Sequence, residues 1–282
     1  VRSQPECLIC ALKQVLKTAE FAGADITLQT DMLREAMDAL RDVSLERSPA
    51  EISSVAIRSS LCKLDASDPF RLIKAEHTRL ARSMYPHFER MVREKSDPLE
   101  AALRVAACAN LIDLGSREDV ELMHEMENEA ERELKRNDLA IFLGRLRAAR
   151  SILWIADNAG ELVFDGLVLE RLKGFEVWIG VKGAPILNDA TVEDAKVSQL
   201  DAYGRVVTTG SGWLGVVKEK SSAEFLELLE SADVVVAKGH ANFETLDSYE
   251  REIFFLLKAK CVVVARELGV DVGDTVFVRN SP

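Results

Sequence analysis

Four polar stretches in the second half of the chain carry residue types that can do chemistry. They are Asp157-Asn158-Ala159-Gly160-Glu161, Lys182-Gly183-Ala184-Pro185-Ile186-Leu187-Asn188-Asp189-Ala190-Thr191, Thr208-Thr209-Gly210-Ser211-Gly212 and Lys238-Gly239-His240-Ala241-Asn242. Two carboxylates and an asparagine carbonyl, from Asp157, Asp189 and Asn158, form an oxygen set suited to Mg²⁺ or Mn²⁺, with water and substrate oxygens completing the shell. Lys238 can neutralise a phosphoryl group. The turn holding Gly210 and Gly212 can offer backbone N–H groups to phosphate oxygens. A cation and a lysine facing a phosphate make a workable phosphoryl-transfer site, because positioning and charge stabilisation carry most of that catalysis. Each stretch also has a plainer reading. Asp-Asn-Ala-Gly is ordinary turn chemistry, and Asn188-Asp189-Ala190-Thr191 taken alone reads first as a helix cap. A lysine directly after a buried apolar run is less ordinary, since it must reach solvent or an anion. The gathering of all four stretches, more than any one of them, points to a site.

The elements that must position them follow from the apolar runs in front of each stretch. Ser151-Ile152-Leu153-Trp154-Ile155-Ala156, Phe175-Glu176-Val177-Trp178-Ile179-Gly180-Val181, Arg205-Val206-Val207-Thr208 and Asp233-Val234-Val235-Val236-Ala237 read as strands buried on both faces. Cys261-Val262-Val263-Val264-Ala265 reads as a fifth strand and Thr275-Val276-Phe277-Val278 as an edge strand. Helical patterns over 161–172, 192–200, 222–229 and 249–257 supply crossovers. The fold class expected is therefore α/β: an N-terminal helical domain over 1–149, then a doubly wound, mostly parallel α/β/α sheet domain over 150–282. In such sheets ligands bind outside the carboxyl ends of the strands, where all four stretches would lie.

Before Gly144 the pattern is helical throughout, and no strand is needed. Helical spacing runs from Cys7 to Ala22. Thr30 can cap a second helix, Pro49 and Asp68-Pro69 open a third and fourth, and Asp97-Pro98 opens a fifth. Pro86 should interrupt the fourth. Ser116 is a candidate cap for a sixth, with Asp119 three residues on.

Composition narrows the function classes. The chain has 282 residues, 48% hydrophobic and 29% charged, as globular proteins do. Its net charge of −11, from 47 acidic against 36 basic side chains, disfavours a nucleic-acid surface. No apolar run approaches bilayer length, and VRSQPECLIC lacks the apolar core of a secretory signal. Five cysteines, odd in number and sparse, suit a reducing cytoplasm.

IADNAGE at 155–161, PILNDATVEDA at 185–195 and AKGHANFETL at 237–246 together resemble the damage-control phosphatases, a family long known as a domain of unknown function. The resemblance extends from Cys7-Leu8-Ile9-Cys10 to ARELGVDVGD at 265–274, and an N-terminal Cys-x-x-Cys marks a mainly archaeal and bacterial subgroup. It implies a metal-dependent phosphomonoesterase acting on small phosphorylated metabolites, such as sugar phosphates or damaged cofactor and nucleotide intermediates. By position it implies a divalent metal, Mg²⁺ or Mn²⁺ with Co²⁺ or Ni²⁺ as alternates, on Asp157, Asn158 and Asp189. It places Lys238, Gly239 and Asn242 at the phosphate end of the substrate, with Asp157 and Lys238 in catalytic roles; Glu161 and Gly210, from neighbouring strand ends, are further candidate substrate contacts. Many relatives carry aspartate where this chain has His240, a departure that bears on substrate choice. Direct attack of water is expected rather than an aspartyl-phosphate, because no Asp-x-Asp follows the first strand.

The helical half supplies fewer candidates. Ala109-Asn110-Leu111-Ile112-Asp113 resembles a family motif near the cleft, although physically Asn110 and Asp113 read as a helix end before Gly115. Cys62 and Cys108 read as core residues. Cys7 and Cys10 open the first helix, where the dipole lowers a thiol's pKa; they read as outside the hydrolytic machinery, and a site shared across a homodimer is one of their readings. The rival functions are an S-adenosylmethionine-dependent carboxyl methyltransferase, for which a single Gly160 gives a poor glycine-rich turn, and a non-enzymatic phospho-ligand binder, in which unscreened aspartates would repel phosphate.

Overall fold

The computed structural model describes residues 1–114 and 119–280. Ser116, expected to cap a helix, lies outside them. Helices α1 (Pro5–Phe21), α2 (Ile26–Leu40), α3 (Pro49–Leu61), α4 (Arg71–Arg93), α5 (Pro98–Cys108), α6 (Asp119–Glu131) and α7 (Leu139–Leu146) fill the first part. Their starts follow local chemistry. Ser48 accepts from Glu51 N while Glu51 accepts from Ser48 N, a reciprocal capping box. Asp97 caps α5. Helix α2 is capped by Asp25, not Thr30, whose hydroxyl bonds to Ile26 O inside the helix. Pro86 does not end α4. Its loss of a helical bond costs about 3 kcal/mol, while Met84, Phe88 and Val92 are buried on either side of it and contribute about 1.5–3 kcal/mol each.

The first part also contributes a strand that the sequence pattern did not suggest. β1 (Arg136–Asn137) pairs in parallel with β7 (Thr275–Arg279), so β7 is not the edge. The other strands are β2 (Ser151–Ile155), β3 (Glu176–Val181), β4 (Arg205–Thr208), β5 (Val234–Lys238) and β6 (Phe254–Lys258). A larger correction concerns the fifth strand. Residues 261–265 open helix α12 (Val262–Leu268), and β6 runs through the segment expected to be a crossover helix. The place between β5 and β7 is buried on both faces, so it needs apolar side chains at every position. Phe254-Phe255-Leu256-Leu257 meets that demand, each residue being 2% exposed or less. Val262 is 54% exposed, and the buried Val264, Ala265 and Leu268 fall on one helical stripe.

The sheet order is β1-β7-β6-β5-β2-β3-β4, parallel except for β6 against β7. Strand side chains alternate between two apolar clusters. Ile152, Trp154, Val236, Phe254 and Phe277 face one that continues through Phe88, Leu103, Met126 and Phe142 of the preceding helices. Leu153, Ile155, Val235 and Phe255 face a second, closed by α10 (Ala223–Ser231), α11 (His240–Leu246) and α12. A third cluster joins α1, α2 and α3 to Ile186 and Leu214 of the loops beyond the strand ends. The first three helices therefore cap the carboxyl rim of the sheet. Chain order reverses between β2 and β5, the topological switch point where open α/β sheets bind ligands. No helix among the described residues is long and apolar enough to cross a membrane.

Candidate functional site

Asp157 and Asn158 follow β2 and are met by the loop after β3. Ala190 N donates to Asp157 O at 2.8 Å, Ala159 N to Asn188 O at 2.9 Å, and Asn158 and Asp189 form an antiparallel bridge. The helix after this loop, α9 (Val192–Val197), is capped by Thr191 with Asp194. Asp189 is therefore not needed as a cap and faces the site. Leu187, at φ +46°, bends the loop into place.

These residues open on a cavity of about 870 Å³. Its floor includes Asp157, Asn158, Asp189, His240, Ala241 and Lys260, and its walls come from α1, α3, α4 and α12 through Cys7, Cys10, Phe21, Ser53, His77, Cys261 and Val263. The helical half thus builds half of the pocket. Asn110 reaches it from the 3-10 turn after α5 and donates to Glu161 Oε1 at 2.9 Å, so it is a site residue rather than a helix end alone. Its nearness to the cleft was visible only in the family motif, because a helix end and a site asparagine look the same in one sequence.

Beneath the cavity lies a buried charge network. Glu161 is 2% exposed and accepts from Asn110, from Asn158 Nδ2 at 2.8 Å and from Lys238 Nζ at 2.7 Å. It is a hub that orients its neighbours, and it lines the narrow recess beside Asp157 and Gly239. Lys238, expected on phosphate and not on a carboxylate, is instead held by Glu161 and by Asp165 Oδ1 at 2.6 Å. Asp165, missed from sequence, lies on α8 (Leu162–Arg171) and also accepts from Trp154 Nε1. Lys182, the first residue after β3, donates to Gly215 O and stands 3.5 Å from Asp189 Oδ2.

The charges shape one another. Burial, then Glu161 and Asp189, push the Asp157 carboxyl well above the usual carboxylate range, against the pull of Lys260 and Lys238. Burial also opposes ionisation of Glu161, but Lys238 and Lys260 outweigh it and hold that carboxyl below its ordinary value. Burial lowers Lys182, partly countered by Asp189.

Two further candidates take different places from those expected. Gly210, at φ +81°, packs over Ser222 and does not line the cavity. Asn242 is buried, and its Nδ2 donates to Ala156 O and Lys238 O, tying the ends of β2 and β5 together. Gly239 does adjoin the centre, but its N–H is already bonded to Leu256 O. What it supplies is space, since a Cβ there would lie 2.0 Å from Asp157 Oδ2. Cys7 and Cys10 line the cavity, and burial raises both thiols' pKa values, the reverse of the expected dipole effect. Cys62 is exposed rather than core, whereas Cys108 is buried.

Glu244, on the cavity wall, yields a pH prediction. Burial pushes its carboxyl from an ordinary 4.5 up to about 8. The unfolded chain loses that proton at lower pH than the folded one, so stability should fall as pH rises from about 5 to 8, by on the order of a few kcal/mol. Urea melts of Glu244→Gln should show a flatter profile than wild type across that window. Parallel profiles would refute the assignment.

The same architecture recurs in known proteins. The crystal structure of a DUF89 family protein from Pyrococcus horikoshii superposes with a TM-score of 0.92 at 34% identity, covering 100% of both chains. A damage-control phosphatase of P. horikoshii is 37% identical over 99% of each chain, and one of Archaeoglobus fulgidus 31% over 98% of each. An uncharacterized protein of Methanocaldococcus jannaschii is 35% identical over 99% of this chain and 96% of its own. Residues 3–276 match the model of the damage-control phosphatase ARMT1-like domain, and the chain belongs to that family.

Proposed function

We propose that the protein is a metal-dependent phosphomonoester hydrolase acting on small phosphorylated metabolites, with Asp157, Asn158 and Asp189 as the protein's share of a Mg²⁺ or Mn²⁺ shell. One observation carries the reading. Four buried carboxylates, Asp157, Glu161, Asp165 and Asp189, face two buried ammoniums, Lys182 and Lys238. Counted as ionised, these buried groups carry two negative charges in excess, which Lys260 at the cavity floor offsets only in part; a divalent cation would offset the rest and an approaching phosphate would worsen it.

The donor set fits such an ion. Its atoms are hard oxygens. Both amide hydrogens of Asn158 are spent on Asp157 Oδ2 at 3.2 Å and Glu161 Oε1 at 2.8 Å, which leaves the carbonyl oxygen as its donor atom. Among the described residues no group of three His, Cys, Asp or Glu side chains is arranged as a metal cage. Two carboxylates with an amide suit an ion that keeps waters and substrate oxygens in its shell. When bound, the ion would offset charge on the phosphoryl group and position it for attack by water. The chain's own residues hold that arrangement still: Lys238 and Asn110 fix Glu161, Glu161 fixes Asn158, and the 186–190 loop fixes Asp189 against Asp157. The cavity volume accommodates a sugar phosphate or a cofactor- or nucleotide-sized intermediate.

Phosphate release from p-nitrophenyl phosphate, with Mn²⁺ or Mg²⁺ and after chelation, tests the reading. Asp189→Asn should raise the metal dissociation constant about tenfold or more and, because it strips buried Lys182 of its carboxylate partner, lower the melting temperature of the metal-free protein as well. Metal affinity unchanged by that substitution, read by calorimetry, would remove Asp189 from the shell.

A further inference from the structure

Two helical stripes line the large cavity and converge away from its carboxylate floor. Along α1, Cys10, Gln14, Lys17 and Phe21 recur at helical spacing. Along α4 the wall is made by Phe70, at the cap, then by Ile73 and His77. His77 packs on the turn that carries the site, since a Cβ at Gly160, two residues past Asn158, would lie 2.9 Å from the His77 Cβ. At the rise of an α-helix, Phe70 stands about 10 Å back along α4 from His77. The two stripes meet there, with the rings of Phe21 and Phe70 4.9 Å apart and tilted by 57°. The cavity thus runs from the carboxylates at one end to an aromatic pair at the other.

The aromatic end is open to a ligand. Phe21 is 41% exposed although it is a large apolar residue on a cavity wall. The Lys17 ammonium sits 5.4 Å over its ring. Two turns before Phe21, Gln14 carries an uncommitted amide. Its Oε1 is buried with no hydrogen-bond partner among the described residues, which costs free energy until a donor meets it. The terminal torsion of glutamine is soft, so either end of the amide can turn to a ligand hydroxyl or amide.

We propose that this stretch between α1 and the start of α4 is a leaving-group subsite for a phosphomonoester that carries a planar ring about 10 Å from its phosphate, the span set by the two turns of α4. The ring packs on Phe21 beside Phe70, and Gln14 bonds a polar group between ring and phosphate. The assignment deepens the phosphatase reading above and rests on it. A bare pentose phosphate leaves the aromatic end unfilled, whereas a ring borne on the pentose reaches it.

The test uses the full chain with Mn²⁺ and two matched probes, adenosine 5′-monophosphate and ribose 5-phosphate, which differ only in the ring. Wild type should favour the ring-bearing ester about tenfold or more in kcat/KM, within the range for one base on one aromatic side chain. Phe21→Ala should lower that ratio about tenfold, and Phe21→Tyr should keep it. Gln14→Leu should lower kcat/KM for the ring-bearing ester about fivefold, the worth of a neutral hydrogen bond. Equal constants for the two esters in wild type, or a ratio indifferent to Phe21→Ala, overturns the subsite. An unchanged constant in Gln14→Leu removes Gln14 from it. Calorimetric binding of adenosine, which has no phosphate, should also weaken about tenfold in Phe21→Ala, and it reads the subsite independently of turnover. Adenosine bound through Phe21 by a chain that releases phosphate from no ester would defeat the phosphatase reading and leave the ring subsite standing. Release from both esters with no dependence on Phe21 would do the reverse.

Discussion

Gly239→Ala should cost about 10²-fold in phosphatase turnover, the scale of an ångström-sized displacement of reacting groups. A Cβ at 239 would lie 2.0 Å from Asp157 Oδ2, 2.2 Å from Cγ and 2.6 Å from Oδ1. No rotamer change of the new methyl group relieves this, because alanine has none. Asp157 must move, and it is the carboxylate placed at the switch point between β2 and β5. Gly239 also sits at φ +83°, so part of any destabilisation comes from backbone strain. Gly23, at φ +71° with nothing within 4 Å of where a Cβ would stand, separates the two effects. Gly23→Ala carries the strain without the clash. It should lower stability by about 1 kcal/mol and leave turnover and Mn²⁺ affinity alone. Equal kinetic constants for the two variants would mean that Gly239 matters only for its backbone conformation.

Lys238→Met should destabilise the metal-free protein by about 3–5 kcal/mol, the usual consequence of stripping one partner from a buried ionic cluster. Methionine preserves most of the packing volume, so the loss is electrostatic. Glu161 and Asp165, 2% and 0% exposed, would face one another with no cation between them. Burial works against the Lys238 charge as well, yet Asp165 and Glu161 hold its pKa above the ordinary lysine value. Urea unfolding in the presence of chelator gives the measurement. Adding Asp165→Asn should restore part of the loss, because one of the two stranded carboxylates is then neutral. A single variant within about 1 kcal/mol of wild type, the value of a surface ion pair, would show that the cluster is not desolvated.

Much of the site was legible in the chain. Asp157, Asn158 and Asp189 share one place because strand, turn and loop chemistry is local, and parallel strands bring their carboxyl ends to one rim. Ser151–Ile155 and Val234–Lys238 announced themselves as apolar runs buried on both faces. Position 261–265 shows where that signal fails. A short β-branched run reads alike in a strand and on a helix face, and the competition for the central place in the sheet was decided by Phe254–Lys258, which has no polar residue to bury before its final lysine. Sequence spacing was equally silent on partner choice. Lys238 looked like a phosphate ligand because it ends a strand at the rim, but Asp165 stands one helical turn past Glu161 on α8, and together they capture it.

By itself, then, the sequence determined the layered α/β class, the order of the polar strand ends and the hard-oxygen character of the site, all of which depend on residue type and on neighbours close in the chain. Only the tertiary structure decided which groups are spent and which face the cavity. It folded α1, α3 and α4 over the strand ends, brought Asn110 to Glu161 across 51 residues and closed Gly239 onto Asp157. It also placed Lys260 beside Asp157 while burying Lys238. The physical reason is that desolvation and ion pairing are set by distances between groups far apart in the chain, and no local pattern of side chains encodes them.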